Sequence, residues 1–230
     1  MPFTKEQVLK AIDHSVLKPT ATDQDVLENA KLCVHNGVGD LCVRPTDVKA
    51  AAEALKGSDI TVACVVGFPH GSNRPEVKAL EARFAIEDGA DELDMVMNIG
   101  QFLSGNFDHV QRDIEAVVAE AKPKGVLVKV ILEICYLTPD QIAQACTLAQ
   151  AAGADFVKTS TGFGDHGATP EAIDIMIETV GDTMQVKAAG GVRGWDTAVA
   201  FLEQGCTRLG AASGTKKIIE EAPSTDDGEY

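Results

Sequence analysis

A glycine returns at near-regular spacing along this chain, each time between a stretch with helical periodicity and a short apolar run. The glycines are Gly37, Gly57, Gly89, Gly125, Gly153, Gly181 and Gly205. Glycine accepts the left-handed conformation that ends a helix, so each suits the residue just past a helix C-terminus. Two junctions are near copies, Gly89-Ala90-Asp91 and Gly153-Ala154-Asp155. Seven helix-to-strand junctions require eight strands with helices between them. The strands read as 11–16, 39–43, 60–66, 91–98, 126–134, 155–160, 185–189 and 207–212. The helices read as 23–36, 45–55, 73–88, 107–122, 138–151, 169–179, 195–204 and 213–221. Their starts carry capping residues: Thr22 or Asp23, Ser72 or Asn73, and Thr138 followed by Pro139.

Eight β/α units in this length predict an α/β protein, a single-domain (β/α)8 barrel over residues 1–222. A doubly wound open sheet would carry a Gly-rich turn after its first strand, and Ile12-Asp13-His14-Ser15-Val16-Leu17 has none. Residues 223–230 read as a flexible acidic tail. Its last residue, Tyr230, is a phenol that could close over the barrel mouth and assist a proton transfer; a disordered end is the alternative.

The formal net charge of −15 argues against nucleic acid or an anionic membrane as partner. A phosphorylated small molecule remains compatible, since a pocket can be locally positive. The six cysteines form no C-x-x-C pair and sit mostly in apolar contexts, which reads as reduced core thiols in a cytoplasmic protein. The N-terminus lacks a basic-then-apolar signal pattern, and no stretch approaches the ~20 apolar residues of a membrane span.

Strand alternation sorts side chains into two faces. In the fourth strand Glu92 and Asp94 share one face, while Leu93, Met95 and Met97 share the other. The apolar set belongs against helices, so the polar set faces the barrel axis. By the same rule Lys158 and Lys187 project inward from the sixth and seventh strands, each followed within four residues by glycine. Burial disfavours a lysine's charge and frees its amine as a nucleophile. Two lysines on adjacent strands therefore suggest one amine that attacks a carbonyl and one that tunes it, with Asp94 as acid/base partner. Lys129 and Glu133 share a face of the fifth strand and could extend this network; for Lys129 a snorkelling edge residue or half of an ion pair fits equally well.

Three Gly-containing loops follow the last three strands: Thr161-Gly162, Gly190-Gly191-Val192-Arg193-Gly194 and Gly210-Ala211-Ala212-Ser213-Gly214. Glycines let backbone N–H groups approach phosphate oxygens, and Ser213 could donate a hydroxyl. The same glycines also suit plain tight turns. No nucleotide-binding glycine fingerprint occurs. None of the five histidines shows metal-ligand spacing, so neither a metal nor a cofactor is expected.

Taken in order, these motifs resemble the deoxyribose-phosphate aldolase family of class I aldolases. The resemblance runs from about residue 9 to residue 218. It rests on Ile12-Asp13-His14-Ser15-Val16-Leu17-Lys18-Pro19, Leu41-Cys42-Val43-Arg44-Pro45, Val66-Gly67-Phe68-Pro69-His70-Gly71, the run from Asp91 to Gly100, the run from Phe156 to Phe163, and Lys187-Ala188-Ala189-Gly190-Gly191-Val192-Arg193. It implies a Schiff base on Lys158, a perturbing Lys187 and a proton-relay Asp94. Asp13 and Cys42 match pocket residues. Gly162, Gly190, Gly191, Gly210 and Ser213 match the phosphate-binding region, with Thr161 beside them. The implied substrates are small aldehydes and sugar phosphates, and a homodimer is the implied assembly. A sugar-phosphate isomerase or a non-catalytic sugar-phosphate-binding barrel is the rival class.

One departure stands out. The family pattern Gly-Thr-Ser-Ser-Gly reads Gly210-Ala211-Ala212-Ser213-Gly214 here, so a hydroxyl is missing at Ala212. A hydrogen bond to a charged group contributes roughly 1.5–3 kcal/mol. Ala212→Ser is expected to lower KM for a phosphorylated substrate by roughly tenfold, with little change for its unphosphorylated analogue. Steady-state kinetics on both substrates checks this, and an unchanged KM refutes it.

Overall fold

A strand that ends where its side chains must turn inward, followed by a helix laid back over its outer face, is a unit that closes only when repeated. The computed structural model, which describes residues 3–223, repeats it eight times. After α1 (Lys5–Lys10) come β1 (Ile12–Val16), α2 (Asp23–Asn36), β2 (Asp40–Val43) and α3 (Val48–Ala54). Next are β3 (Thr61–Val66), α4 (Pro75–Glu87), β4 (Glu92–Val96), α5 (Ile99–Leu103) and α6 (Phe107–Ala121). The second half holds β5 (Leu127–Ile131), α7 (Pro139–Ala151), β6 (Phe156–Lys158) and α8 (Pro170–Val180). It ends with β7 (Gln185–Ala189), α9 (Trp195–Gln204), β8 (Arg208–Ala211) and α10 (Gly214–Glu221). The strands form one closed parallel barrel in chain order, sealed where Ile12 and Asp13 of β1 pair with Leu209 and Gly210 of β8. The expected tail and Tyr230 lie outside the described residues.

All seven punctuating glycines adopt positive φ, from 51° at Gly181 to 115° at Gly205. Two short helices were not legible: α1 and α5 have six and five residues, too few to show a period. The fourth strand stops at Val96 rather than Asn98, because the Asn98 side chain accepts the Gln101 N–H and starts α5. The expected helix at 45–55 opens as a tight turn over Pro45–Asp47 before α3. Neither Ser72 nor Asn73 caps α4. Arg74 occupies that place without a side-chain bond, since Pro75 fixes the first helical residue and holds Arg74 extended.

Outward-facing strand residues such as Val62, Cys64 and Val66 join the main core under the helices. The inward face differs. At the axis lie Asp13, Asp40, Glu92, Asp94, Lys129, Lys158 and Lys187, all buried. Placing so many ionisable groups inside a barrel is tenable only if they pair with one another.

Thr22 and Thr138 each form a complete capping box, with Asp25 and Gln141 respectively. Thr22→Ala and Thr138→Ala are each expected to lower stability by about 1 kcal/mol. Urea unfolding checks this; a midpoint unmoved at constant slope counts against the caps.

Candidate active site

The site is assembled at the C-terminal ends of the strands. Lys158 is the last residue of β6, and the register sets it directly beside Lys187 of β7. Asp94 of β4 stands opposite Lys129 of β5. The Lys158 Nζ donates to Asp94 Oδ2 at 2.6 Å, and the Lys187 Nζ donates to the same oxygen at 2.7 Å. Lys129 donates to the other oxygen, Oδ1, at 2.8 Å. Lys187 also pairs with Asp13, whose Oδ1 accepts from Arg208 at 2.6 Å. Lys129 and Arg208 both pair with Glu92. Lys158 is 2% exposed and Asp94 and Lys187 are fully buried, so these contacts act with little screening by water.

The lysines differ in what surrounds them. Burial pushes the Lys158 amine below its ordinary range, against the pull of Asp94, and the charge of Lys187 pushes it further down. Burial acts on Lys187 in the same sense, but Asp13 and Asp94 outweigh it and hold Lys187 above the ordinary lysine range. Lys129 is likewise raised against burial by Asp94 and Asp13. Burial would raise Asp94, yet Lys129, Lys158 and Lys187 hold it well below the usual carboxylate range. Asp13, also opposed by burial, is held at about 2 by Lys187, Lys129 and Arg208. The sequence offered burial and a neighbouring cation as causes of a depressed Lys158; here burial leads and Lys187 adds to it.

The site therefore gathers Lys158, Lys187, Asp94 and Asp13. Cys42 is fully buried in a small apolar cluster with Ala63 and Val65, against which Leu17 and Phe68 pack. Burial raises its thiol to about 12, with Asp94 adding to the rise. Glu133 departs from expectation. It adopts a φ of 56° and turns away from the lysines to hold the following loop. Its carboxylate accepts the Thr161 backbone N–H at 3.1 Å and also pairs with the Thr161 hydroxyl. That hydroxyl accepts from the Phe163 N–H at 3.0 Å, so it is committed within the loop.

Above Lys158 opens a cavity of about 780 Å³. Gly162, Gly190, Gly191, Gly210 and Ser213 all border it. Gly190 sits where a Cβ would approach the Gly167 Cα to 2.8 Å, at a φ of 78° that L-residues seldom adopt. Ser213 precedes α10 and its side chain makes no capping bond. Ala212 also borders the cavity, presenting a methyl where the family pattern has a hydroxyl. Sequence reasoning missed three cations there, Lys18, Arg193 and Lys216. Arg193 was visible inside its Gly-rich loop. Lys18 and Lys216 carried no periodic signal, being in a loop and the first turn of a helix. Among the described residues, no group of three or more His, Cys, Asp or Glu side chains is arranged to hold a metal, and no helix is long and apolar enough to cross a membrane.

The chain matches known proteins over nearly its whole length. Residues 7–217 match the DeoC/LacD family aldolase model. A deoxyribose-phosphate aldolase of Thermococcus gammatolerans is 51% identical over 221 residues, covering 95% of this chain and 98% of the relative. One from Streptococcus gordonii is 53% identical over 215 residues, covering 94% and 97%. Among solved structures, the tetrameric deoxyribose phosphate aldolase of Aeropyrum pernix superposes with a TM-score of 0.87 at 31% identity, covering 94% of this chain and 91% of the other.

Lys187→Leu removes a positive neighbour of Lys158 and leaves Asp13 and Asp94 with less compensation. Both changes favour the charged amine. The pH at which half of the Lys158 amines react with an amine-modifying reagent is expected to move up by roughly one pH unit. Peptide-resolved labelling across pH measures it, and an unmoved midpoint refutes the coupling.

Proposed function

Because the chain belongs to the DeoC/LacD family of aldolases, we propose that it reversibly cleaves 2-deoxy-D-ribose 5-phosphate to glyceraldehyde 3-phosphate and acetaldehyde through an imine on Lys158. The observation that carries this reading is the buried Lys158 amine. It is depressed by its surroundings, lies 2.6 Å from a carboxylate and opens into a cavity rimmed by cations.

In the cleavage direction, the neutral Lys158 amine adds to the C1 aldehyde of the open-chain sugar. Loss of water leaves a protonated imine, an electron sink. A base removes the C3 hydroxyl proton, the C2–C3 bond breaks, and its electron pair moves into the imine to form an enamine. Glyceraldehyde 3-phosphate departs, C2 takes up a proton, and water releases acetaldehyde from Lys158. Asp94 is a weak base while three lysines hold it. With Lys158 neutral it faces one cation fewer, which suits a relay through water with Lys187. Asp13 keeps Lys187 charged and oriented. Cys42 belongs to the apolar wall beside the two-carbon fragment. These steps use only the chain's own groups.

The phosphate belongs on the rim. Backbone N–H groups around Gly162, Gly190, Gly191 and Gly210 and the Ser213 hydroxyl would receive it, with Arg193, Lys18 and Lys216 supplying charge. Thr161 contributes by its loop position rather than its hydroxyl. Residues 1–222 act as one catalytic unit, in the cytoplasm, and the barrel assembles with copies of itself, as a dimer in the simplest case. The resulting activity serves deoxyribonucleoside breakdown.

Borohydride reduction in the presence of acetaldehyde, followed by peptide mapping, is expected to leave a two-carbon adduct on Lys158. An isomerase or a sugar-phosphate-binding barrel gives no adduct and survives Lys158→Met. That substitution is expected to reduce cleavage by roughly 10⁴-fold or more. Asp94→Asn is expected to lower kcat on the order of 10²-fold, while adduct formation persists.

A further inference from the structure

Lys78 takes no part in the chemistry above, yet it is among the largest fully buried side chains. It lies on α4, outside the barrel. Its Nζ donates to the Val96 carbonyl at 2.7 Å and to Asp113 Oδ2 of α6 at 2.5 Å. Val96 ends β4, two residues past Asp94. The Lys78 stem lies against Gly67, where an added Cβ would come within 2.7 Å of the Lys78 Cε. One turn further along α4, Glu81 accepts the Gly67 N–H at 2.6 Å. Gly67 opens the β3–α4 loop, and at its far end Gly71 donates to the Gly67 carbonyl at 2.7 Å. There an added Cβ would meet the Met97 carbonyl oxygen at 2.0 Å. The loop is thus clamped from outside by α4 and pressed against the exit of β4.

That loop carries Phe68. The ring packs inward on Cys42, Ala63 and Val65, and meets Phe163 edge-on at 5.3 Å between centroids. Phe163 borders the cavity together with Lys158. Phe68 thus backs Phe163, which borders the cavity, and covers the cluster that holds Cys42, while α4 holds the backbone that carries it. A buried ion pair adds little stability over a well-packed apolar pair. What it adds is direction: its hydrogen bonds tie a strand end, a helix and a loop within narrow distances.

We propose that Lys78, acting with Asp113 and Glu81, is a positioning residue that fixes the Phe68 wall and so limits the aldehyde joined to Lys158 to two carbons. The inference rests on the imine reading given above. Replacing both partners, Lys78→Met with Asp113→Leu, removes the clamp without orphaning a buried charge. Gly67→Ala disturbs the same contact from the loop side and serves if the double variant fails to fold. The measurement is the ratio of kcat/KM for acetaldehyde to that for propanal in the synthetic direction, with glyceraldehyde 3-phosphate as the common acceptor. One methylene in an apolar pocket is discriminated by at least about tenfold, and loosening the wall is expected to lower the ratio by about that factor. A merely structural role lowers both activities together; a ratio within about twofold of the parent's, alongside a normal Lys158 adduct, overturns the proposal. Failure of the parent protein to form the adduct sinks the imine reading instead, and this inference with it.

Discussion

The carboxylate of Asp94 takes hydrogen bonds from Lys158 and Lys187 on one oxygen and from Lys129 on the other. Its burial is possible because of those cations, and theirs because of it. The interior holds four acidic groups, Asp13, Asp40, Glu92 and Asp94, and four basic ones, Lys129, Lys158, Lys187 and Arg208. Asp40 is the acid without a cationic contact. Its Oδ2 accepts from the Thr61 hydroxyl at 2.8 Å and its Oδ1 has no partner. Burial and the nearby Asp13 push its carboxyl well above the usual carboxylate range. Lys129, Lys187 and Arg208 each touch two or more carboxyl groups, whereas Lys158 touches only the shared Asp94. Carboxylates outweigh burial at those three bases and raise them, whereas at Lys158 burial, with the charge of Lys187 adding to it, outweighs the pull of Asp94. Lys158, the proposed nucleophile, has the fewest carboxylate contacts of the four.

Much of this was legible because two simple periods apply. Glycine punctuation located the seven strands from β2 to β8, since a helix that must reverse into a strand favours a residue that tolerates positive φ. Alternation put Asp94, Lys158 and Lys187 on the inward face. Alternation gives a face and not a depth, so it left Lys129 between two readings; the structure shows it wedged among Asp94, Glu92 and Asp13. Glu133 shares that nominal face but follows the end of β5, where a left-handed backbone redirects it. Arg208 and Asp40 were placed inside strands, but each is the first residue of its strand, and a lone polar residue there gives no alternation to read. Lys78 lies on a helix whose stripe of Val77, Leu80 and Phe84 is exposed, so the pattern pointed away from its burial.

The division of labour follows from how each part is held. Groups that perform the chemistry sit on strands, where the hydrogen-bond ladder fixes neighbouring side chains to each other. Groups that choose the substrate sit on loops, and those loops are tied down individually. Glu133 holds the loop after β6 through Thr161. Arg44 holds the loop after β1, donating to the Ala21 carbonyl at 2.9 Å while its guanidinium is fixed by Asp47. Lys78 and Glu81 hold the loop after β3.

Charge is divided in the same way. A chain of net charge −15 repels phosphate at long range, yet Lys18, Arg193 and Lys216 gather around one opening. Surface repulsion falls off within about 10 Å at moderate salt, whereas a concave rim keeps its own field. In the proposed reading the anion is recognised only once it reaches the mouth, where backbone N–H groups and cations would act together. Ala212 removes one neutral donor from that arrangement, and the three side-chain cations leave the larger electrostatic part in place. In the proposed reaction, binding there presents the sugar's aldehyde end to Lys158, the barrel lysine that burial pushes below its ordinary range.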